Sequence, residues 1–189
     1  YQEELEDVPP VYGVTKPVMT YNPILINFQH LWQLIKDAWK TGNFWDKIKI
    51  WFMPTGWRPS DIEKENPLPY VHDPYKLVKY RPELNKSQEI WAWVQFILTF
   101  ISMMYLFNSI AQYEFENVLI WGLFLFVSIF SFTSFMDKSK VFIPAVFLSS
   151  IVGIYLCLNI MELNTWVQLS VATVYLFTPF IQIFLFYRK

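Results

Sequence analysis

Two histidines, His30 and His72, and one cysteine, Cys157, are the side chains of this 189-residue chain best suited to hold a metal or act as a nucleophile. The histidines stand far apart, in no HxxxH, HxxH or HH arrangement. A metal centre needs several converging ligands. His30 therefore reads as a packing or interface residue, and His72, in the turn-like His72-Asp73-Pro74, as a loop histidine. Cys157 falls in an apolar run, where a buried, inert thiol is expected. A single cysteine excludes an internal disulfide framework and a cysteine-rich metal site. The chain has five glycines and no GxSxG, Walker loop or dinucleotide fingerprint. The residues by themselves thus give no catalytic residue and no metal site.

The elements that would position any chemistry are set by an uneven distribution of charge. Hydrophobic residues make up 54% of the chain and charged residues 16%, against about 25% charged in a soluble domain. The net charge of −1 gives no reason to expect nucleic acid as a partner. Residues 1–89 hold 11 of the 15 Lys and Arg and 12 of the 16 Asp and Glu. Beyond them, Glu114, Glu116, Asp137, Lys138, Lys140 and Glu162 separate runs of membrane-spanning length. At about 1.5 Å per residue, roughly 20 residues cross a bilayer core, and a charge at its centre costs at least about 2.5 kcal/mol. An all-α integral membrane fold follows, with four transmembrane helices at about 90–112, 115–136, 141–161 and 165–187 in a domain covering 89–189.

Pro144, near a helix start, and Pro179, at a kink, are compatible with these spans. Trp91, Trp93, Tyr113, Trp166 and Tyr187 suit an aromatic belt. Lys and Arg occur before the first run, in the second loop and at the C-terminus, but not in the first or third loop. The positive-inside rule then puts both termini on the cytoplasmic side, in a bacterial inner membrane or an endoplasmic reticulum. The helix centres lack ionisable groups, which argues against a transporter or channel. Gln95, Asn108, Ser128, Ser131, Thr133, Ser134, Ser149, Ser150 and Thr173 read as interhelical hydrogen-bond glue.

The N-terminal half is polar but rich in aromatic residues. Residues 1–23 carry four prolines and Gly13 and read as extended chain and turns. The opening YQEELEDVPP has no apolar core of a signal peptide, and a start at Tyr1 suggests a piece of a longer protein. Asn22 as N-cap and Pro23 at the first helical position open a helix over about 24–41. Its apolar face carries Ile24, Phe28, Leu31, Trp32, Ile35 and Trp39. A second short helix over about 44–53 places Phe44, Ile48, Trp51 and Phe52 together and stops at Pro54 and Gly56. Aromatic faces beside lysines suit helices lying in the headgroup plane or packed on another protein surface. Residues 60–88, with several prolines, read as an extended linker.

The stretch 12–59 resembles the segment that follows the catalytic region in the fatty acid hydroxylase/sterol desaturase superfamily, on the branch containing alkylglycerol monooxygenases. The resemblance rests on Tyr12-Gly13-Val14-Thr15-Lys16-Pro17, Thr20-Tyr21-Asn22-Pro23, Leu31-Trp32, the helix from Trp45 to Phe52, and the turn Pro54, Gly56, Trp57, Pro59. It implies that 1–59 ends a hydroxylase/desaturase region and that the parent protein is an oxygen-dependent di-iron enzyme acting on lipid. That family holds iron with HxxxH and HxxHH clusters, which this chain lacks. No catalytic or metal residue carries over, no cofactor is expected in the chain itself, and the partners implied are membrane lipids and an upstream His-rich catalytic region. Phe28, Trp32, Trp39, Phe44, Trp51 and Phe52 are the expected membrane-interface or lipid-contact residues. The alternative is a non-enzymatic membrane anchor or scaffold.

Overall fold

The computed structural model describes residues 18–54, 56–67 and 80–188. The Tyr12–Pro17 motif and residues 68–79 of the proline-rich stretch, His72 among them, lie outside the described residues. The described residues form helices and connecting turns and contain no strand. They fall into two compact units: one comprises 25–81 with Val18 and Met19, and the other comprises 20–24 with 82–188.

The first unit holds α1 (Pro23–Lys40, whose first two residues group with the second unit), α2 (Phe44–Lys49) and α3 (Ser60–Glu65). Helix α1 starts where Asn22 and Pro23 predict, with the Ile24 amide donating to Asn22 Oδ1 at 3.0 Å. Helix α2 begins at its expected residue, where the Asn43 side chain accepts from the Trp45 amide at 3.1 Å. It is shorter than the expected 44–53. After Lys49 the chain tightens into i→i+3 turns, with Trp51 N–H to Ile48 O and Phe52 N–H to Lys49 O. Helix α3 departs from the expected extended linker. Pro59 supplies a fixed φ just before Ser60, and Ile62 gives the short helix an apolar anchor that is fully buried.

The second unit is a bundle of α4 (Lys86–Ser109), α5 (Phe115–Met136), α6 (Phe142–Asn159) and α7 (Thr165–Tyr187). All four helices are long and apolar enough to cross a membrane, as expected of an integral membrane protein. Helix α4 starts at Lys86, earlier than expected, because Asn85 and Gln88 form a reciprocal capping box (2.9 and 3.1 Å). A 3₁₀ turn (Ile110–Gln112) extends it. Helix α5 ends in a Schellman arrangement: Lys138 adopts φ 55° and the Ser139 amide donates to Ser134 O at 3.0 Å. Helix α5 packs on α6, α6 on α7 and α4 on α5, while α4 and α7 touch more sparingly.

Two apolar clusters fill the bundle. Leu106, Trp121, Phe124 and Leu156 form one at the acidic end, where the Phe124 ring meets Tyr175 edge-on at 5.5 Å. Phe135, Phe142 and Val146 form the other at the basic end, joined by Trp91 and Phe186. Trp91 therefore turns inward, away from the expected belt, whereas Trp93 and Trp166 remain exposed. At the basic end, Lys138 bonds Gln88, and the fully buried Asn22 donates to Ser134 Oγ at 2.8 Å and to Phe130 O at 3.3 Å. Asp137 there accepts from the Thr20 hydroxyl and, at 2.8 Å, from the Tyr21 amide.

Candidate lipid-facing site

Helix α1 leaves its apolar face uncovered, unlike a helix on a water-soluble domain. Its apolar stripe of Leu25, Phe28, Leu31, Trp32, Ile35 and Trp39 is exposed, with Trp39 at 85%. Its one buried side chain from Leu25 onward is Asp37, 2% exposed, on the opposite face. Amphipathic helices at a protein surface ordinarily do the reverse. Each Phe- or Leu-sized side chain left in water forgoes about 1.5–3 kcal/mol of burial. A stripe of six exposed apolar residues is therefore a surface built to be covered.

A polar lock holds Asp37 inside. The Arg58 guanidinium grips both carboxylate oxygens, from Nε at 2.6 Å and from Nη2 at 2.9 Å. Its third nitrogen donates to Asn66 O at 2.9 Å, and Gln33 Nε2 adds a bond to Asp37 Oδ1 at 2.8 Å. The hydrogen bond to Asp37 raises the Arg58 pKa further above its ordinary range. Next to it, Asp61 Oδ2 accepts from the buried Thr41 hydroxyl at 2.9 Å and the Gly42 amide at 3.1 Å. Partial desolvation pushes the Asp61 carboxyl up, but these bonds and the N–H of Ile62 outweigh it and hold the carboxyl below its usual value.

The turn Pro54-Gly56-Trp57-Pro59 is what delivers Arg58. Gly56 takes φ 96°, a backbone region that side chains resist. The Trp57 amide closes the turn onto Pro54 O at 3.0 Å, and Pro59 is buried beside it. The Trp57 ring also receives the Lys49 ammonium at 5.5 Å. Sequence reasoning identified the turn but passed over Arg58, Asp37, Thr41 and Asp61. The signal available was a charged residue fixed between Trp57 and Pro59, with Asp37 opposite the aromatic face of α1.

The structure leaves all six expected contact residues exposed: Phe28, Trp32, Trp39, Phe44, Trp51 and Phe52, the last at 81%. Phe28, Trp32 and Trp39 share one stripe of α1, while Phe44 begins α2 and Trp51 and Phe52 follow it. Exposed Trp45 and Ile48 add to the apolar surface of α2, and the residue buried there is Ile50. Lys36 Nζ sits 5.6 Å from the Trp32 ring, so the aromatic face carries a cation at its margin.

A di-iron centre does not fit the side chains described. No group of three or more His, Cys, Asp or Glu comes together among them, and His30 is an exposed residue of α1. The two histidines of the whole chain could not supply the imidazoles of a two-metal site.

Over 137 residues the chain is 26% identical to the human protein named alkylglycerol monooxygenase. The aligned region covers 71% of this chain and 30% of that protein, so the chain spans about a third of its relative's length. No family model matches, and no solved structure matches.

Proposed function

We propose that this chain forms the lipid-contacting and membrane-anchoring part of a lipid-oxidising membrane enzyme related to alkylglycerol monooxygenase. The observation that carries the reading is the exposed aromatic stripe of α1, on the face opposite the buried Asp37 that Arg58 grips. Likeness to a protein named alkylglycerol monooxygenase supports lipid as the class of compound handled. In this reading Phe28, Trp32, Trp39, Phe44, Trp51 and Phe52 lie in the headgroup and upper acyl region of the bilayer, with Lys36, Lys47 and Lys49 at its polar margin. Both termini face the cytoplasm, and the iron-binding histidines implied by the family come from a region upstream of these residues. The chain by itself performs no oxidation.

Depth measurements test the lipid contact. With Cys157 changed to Ser, a nitroxide is placed at Trp39→Cys, Phe52→Cys or Glu63→Cys in the full chain in vesicles. Collisions with oxygen should dominate at 39 and 52, and collisions with a water-soluble nickel chelate at 63. Equal nickel accessibility at all three would overturn the reading of α1 and α2. The reading frame upstream of the Tyr1 codon tests the enzymatic half: it should encode HxxxH and HxxHH clusters, and a start codon adjoining Tyr1 would refute it.

A further inference from the structure

Between the two apolar clusters of the bundle lies a polar layer with unmet hydrogen-bonding groups. Gln88, Gln95 and Ser102 recur every seventh residue and so share one face of α4. Both ends of that row bond to α7: Gln88 Nε2 donates to Leu185 O at 2.8 Å, and Ser102 Oγ meets Tyr175 Oη at 3.2 Å. These bonds fix the register of two antiparallel helices. They bring Gln95 level with residue 180 of α7, within one turn of Gln182. On α7, Tyr175, Thr178 and Gln182 follow the matching stripe.

The groups at this level are not satisfied. Gln182, 1% exposed, uses its Nε2 on Ser131 Oγ at 3.4 Å, while its Oε1 is buried with no partner among the described residues. Gln95 Nε2 and Trp91 Nε1, one turn apart on α4, are likewise buried and unpartnered. A buried orphan of this kind costs about 1–3 kcal/mol; a further one, Trp121 Nε1, lies apart from this layer in the acidic-end cluster. Within the layer, Ser150 Oγ, from α6, is a fourth. The Phe147–Phe180 ring contact and the approach of Tyr175 to Gly153 place Ser150 about one turn from Gln182 along α7.

We infer that this layer, at the sparsely packed α4–α7 seam, is a binding site for a hydroxyl group. Trp91 Nε1 and Gln95 Nε2 offer two donors, and Gln182 Oε1 offers one acceptor. An alcohol oxygen accepts two hydrogen bonds and donates one, so the three protein groups saturate it. A water molecule has one further O–H, which Ser150 Oγ can accept. The shared chemistry is a hydroxyl in an apolar bundle, and the two sources are a lipid alcohol and an interior water. This inference is independent of the proposed oxidation and of the iron it requires.

The full chain in bicelles, with its Trp indoles labelled with ¹⁵N and that of Trp91 assigned through Trp91→Phe, is titrated with 1-dodecanol and in parallel with dodecane. A saturable shift of the Trp91 indole with dodecanol alone, lost in Gln182→Leu, identifies a lipid-alcohol site. No shift, but a cross-relaxation peak between the Trp91 indole and water that Gln182→Leu removes, identifies a water site. The Trp121 indole, in the other cluster, serves as the control for folding. Absence of both signals in the unsubstituted chain, a result that needs no variant to fold, would overturn the inference.

Discussion

The two units expose the same kind of side chain but differ in how much apolar interior lies beneath it. In the 25–81 unit the deeply buried groups include Asp37 and Thr41, with Ile50 and Ile62 as the buried apolar residues. In the bundle large apolar side chains, Trp121, Phe124, Phe135, Phe142, Val146 and Leu156, are buried together with polar ones such as Gln88 and Gln182. Both leave rows of Phe, Trp, Leu and Ile outside. In water, the hydrophobic effect would pull such rows inward. Within lipid it acts little between helices, and cohesion falls to shape and hydrogen bonding. The bundle relies on shape, through edge-on aromatic contacts and short helix–helix approaches. The small unit has too little apolar interior for that and relies on charge-assisted hydrogen bonds. The difference teaches that one exposed surface can rest on two unrelated kinds of core, and each kind has its own weak point.

Removing the guanidinium should give the largest effect. Arg58→Ala strands a carboxylate that is 2% exposed, and losing one partner of a buried ion pair costs about 3–5 kcal/mol. Amide exchange in α1 and α3 should rise toward that of unprotected chain, with the α5 and α6 amides unchanged. Arg58→Lys should recover only part of the protection, since an ammonium cannot span both Asp37 oxygens. Full protection in Arg58→Ala would show that the small unit does not depend on its polar lock.

The mirror experiment targets shape in the bundle. A Cβ on Gly153 would stand 3.0 Å from Phe124 Cε2 and 3.1 Å from Tyr175 Cγ, both of them atoms of packed rings. Gly153→Ala should cost about 1–3 kcal/mol through overpacking, read as a lowered denaturation midpoint in detergent. At Gly122 a Cβ meets nothing within 4 Å. Gly122→Ala should therefore be neutral or stabilise by up to about 1 kcal/mol through helix propensity. Equal effects at the two sites would sink the claim that ring packing carries the bundle.

Helix ends come next in size. The Asn85 side chain accepts from the Gln88 amide while Gln88 returns a bond to the Asn85 amide. Asn85→Ala should cost about 1 kcal/mol and raise exchange in the first turn of α4, with the acidic-end cluster around Trp121 unaffected. A loss spread evenly through the bundle would instead show the capping box to be part of its core.

The same contrast explains what was legible in the sequence. The bundle was readable because uncharged runs of spanning length report a bilayer directly, and Asn22-Pro23 announces a helix start by local chemistry. The Asn85 start was overlooked although its capping box is equally local, because attention to charge put the boundary beyond Glu89. Helix α3 was hidden by proline-rich surroundings: Pro59 and Pro67 bracket it, and its burial depends on one isoleucine. Of the candidate site, the aromatic faces were visible from spacing alone. The Asp37–Arg58 pair was not, since it joins two elements through a turn whose purpose becomes apparent only when Gly56 is seen at positive φ. Of the polar residues expected to bond between helices, Ser131 does so with Gln182, whereas Thr133, Ser149 and Thr173 bond back to carbonyls of their own helices and Gln95 Nε2 and Ser150 Oγ are left unmet.

The smallest effect separates the two units by pH. The Asp61 carboxyl is held below the ordinary aspartate value of about 3.9. A group whose folded pKa is depressed binds fewer protons folded than unfolded, so the stability it confers is complete above the ordinary value and disappears as pH falls through the folded one. Acid should therefore loosen the junction between α1 and α2 below about pH 4. The Gly42 amide, which donates to that carboxylate at 3.1 Å, reports the titration directly. Its proton resonance should move with a midpoint below 3.9, and Asp61→Asn should abolish the movement while leaving the α5 and α6 amides in place. A midpoint at or above the ordinary aspartate value would mean that the bonds from Thr41 and Gly42 do not outweigh desolvation, and that the small unit is held by Asp37 and Arg58 alone.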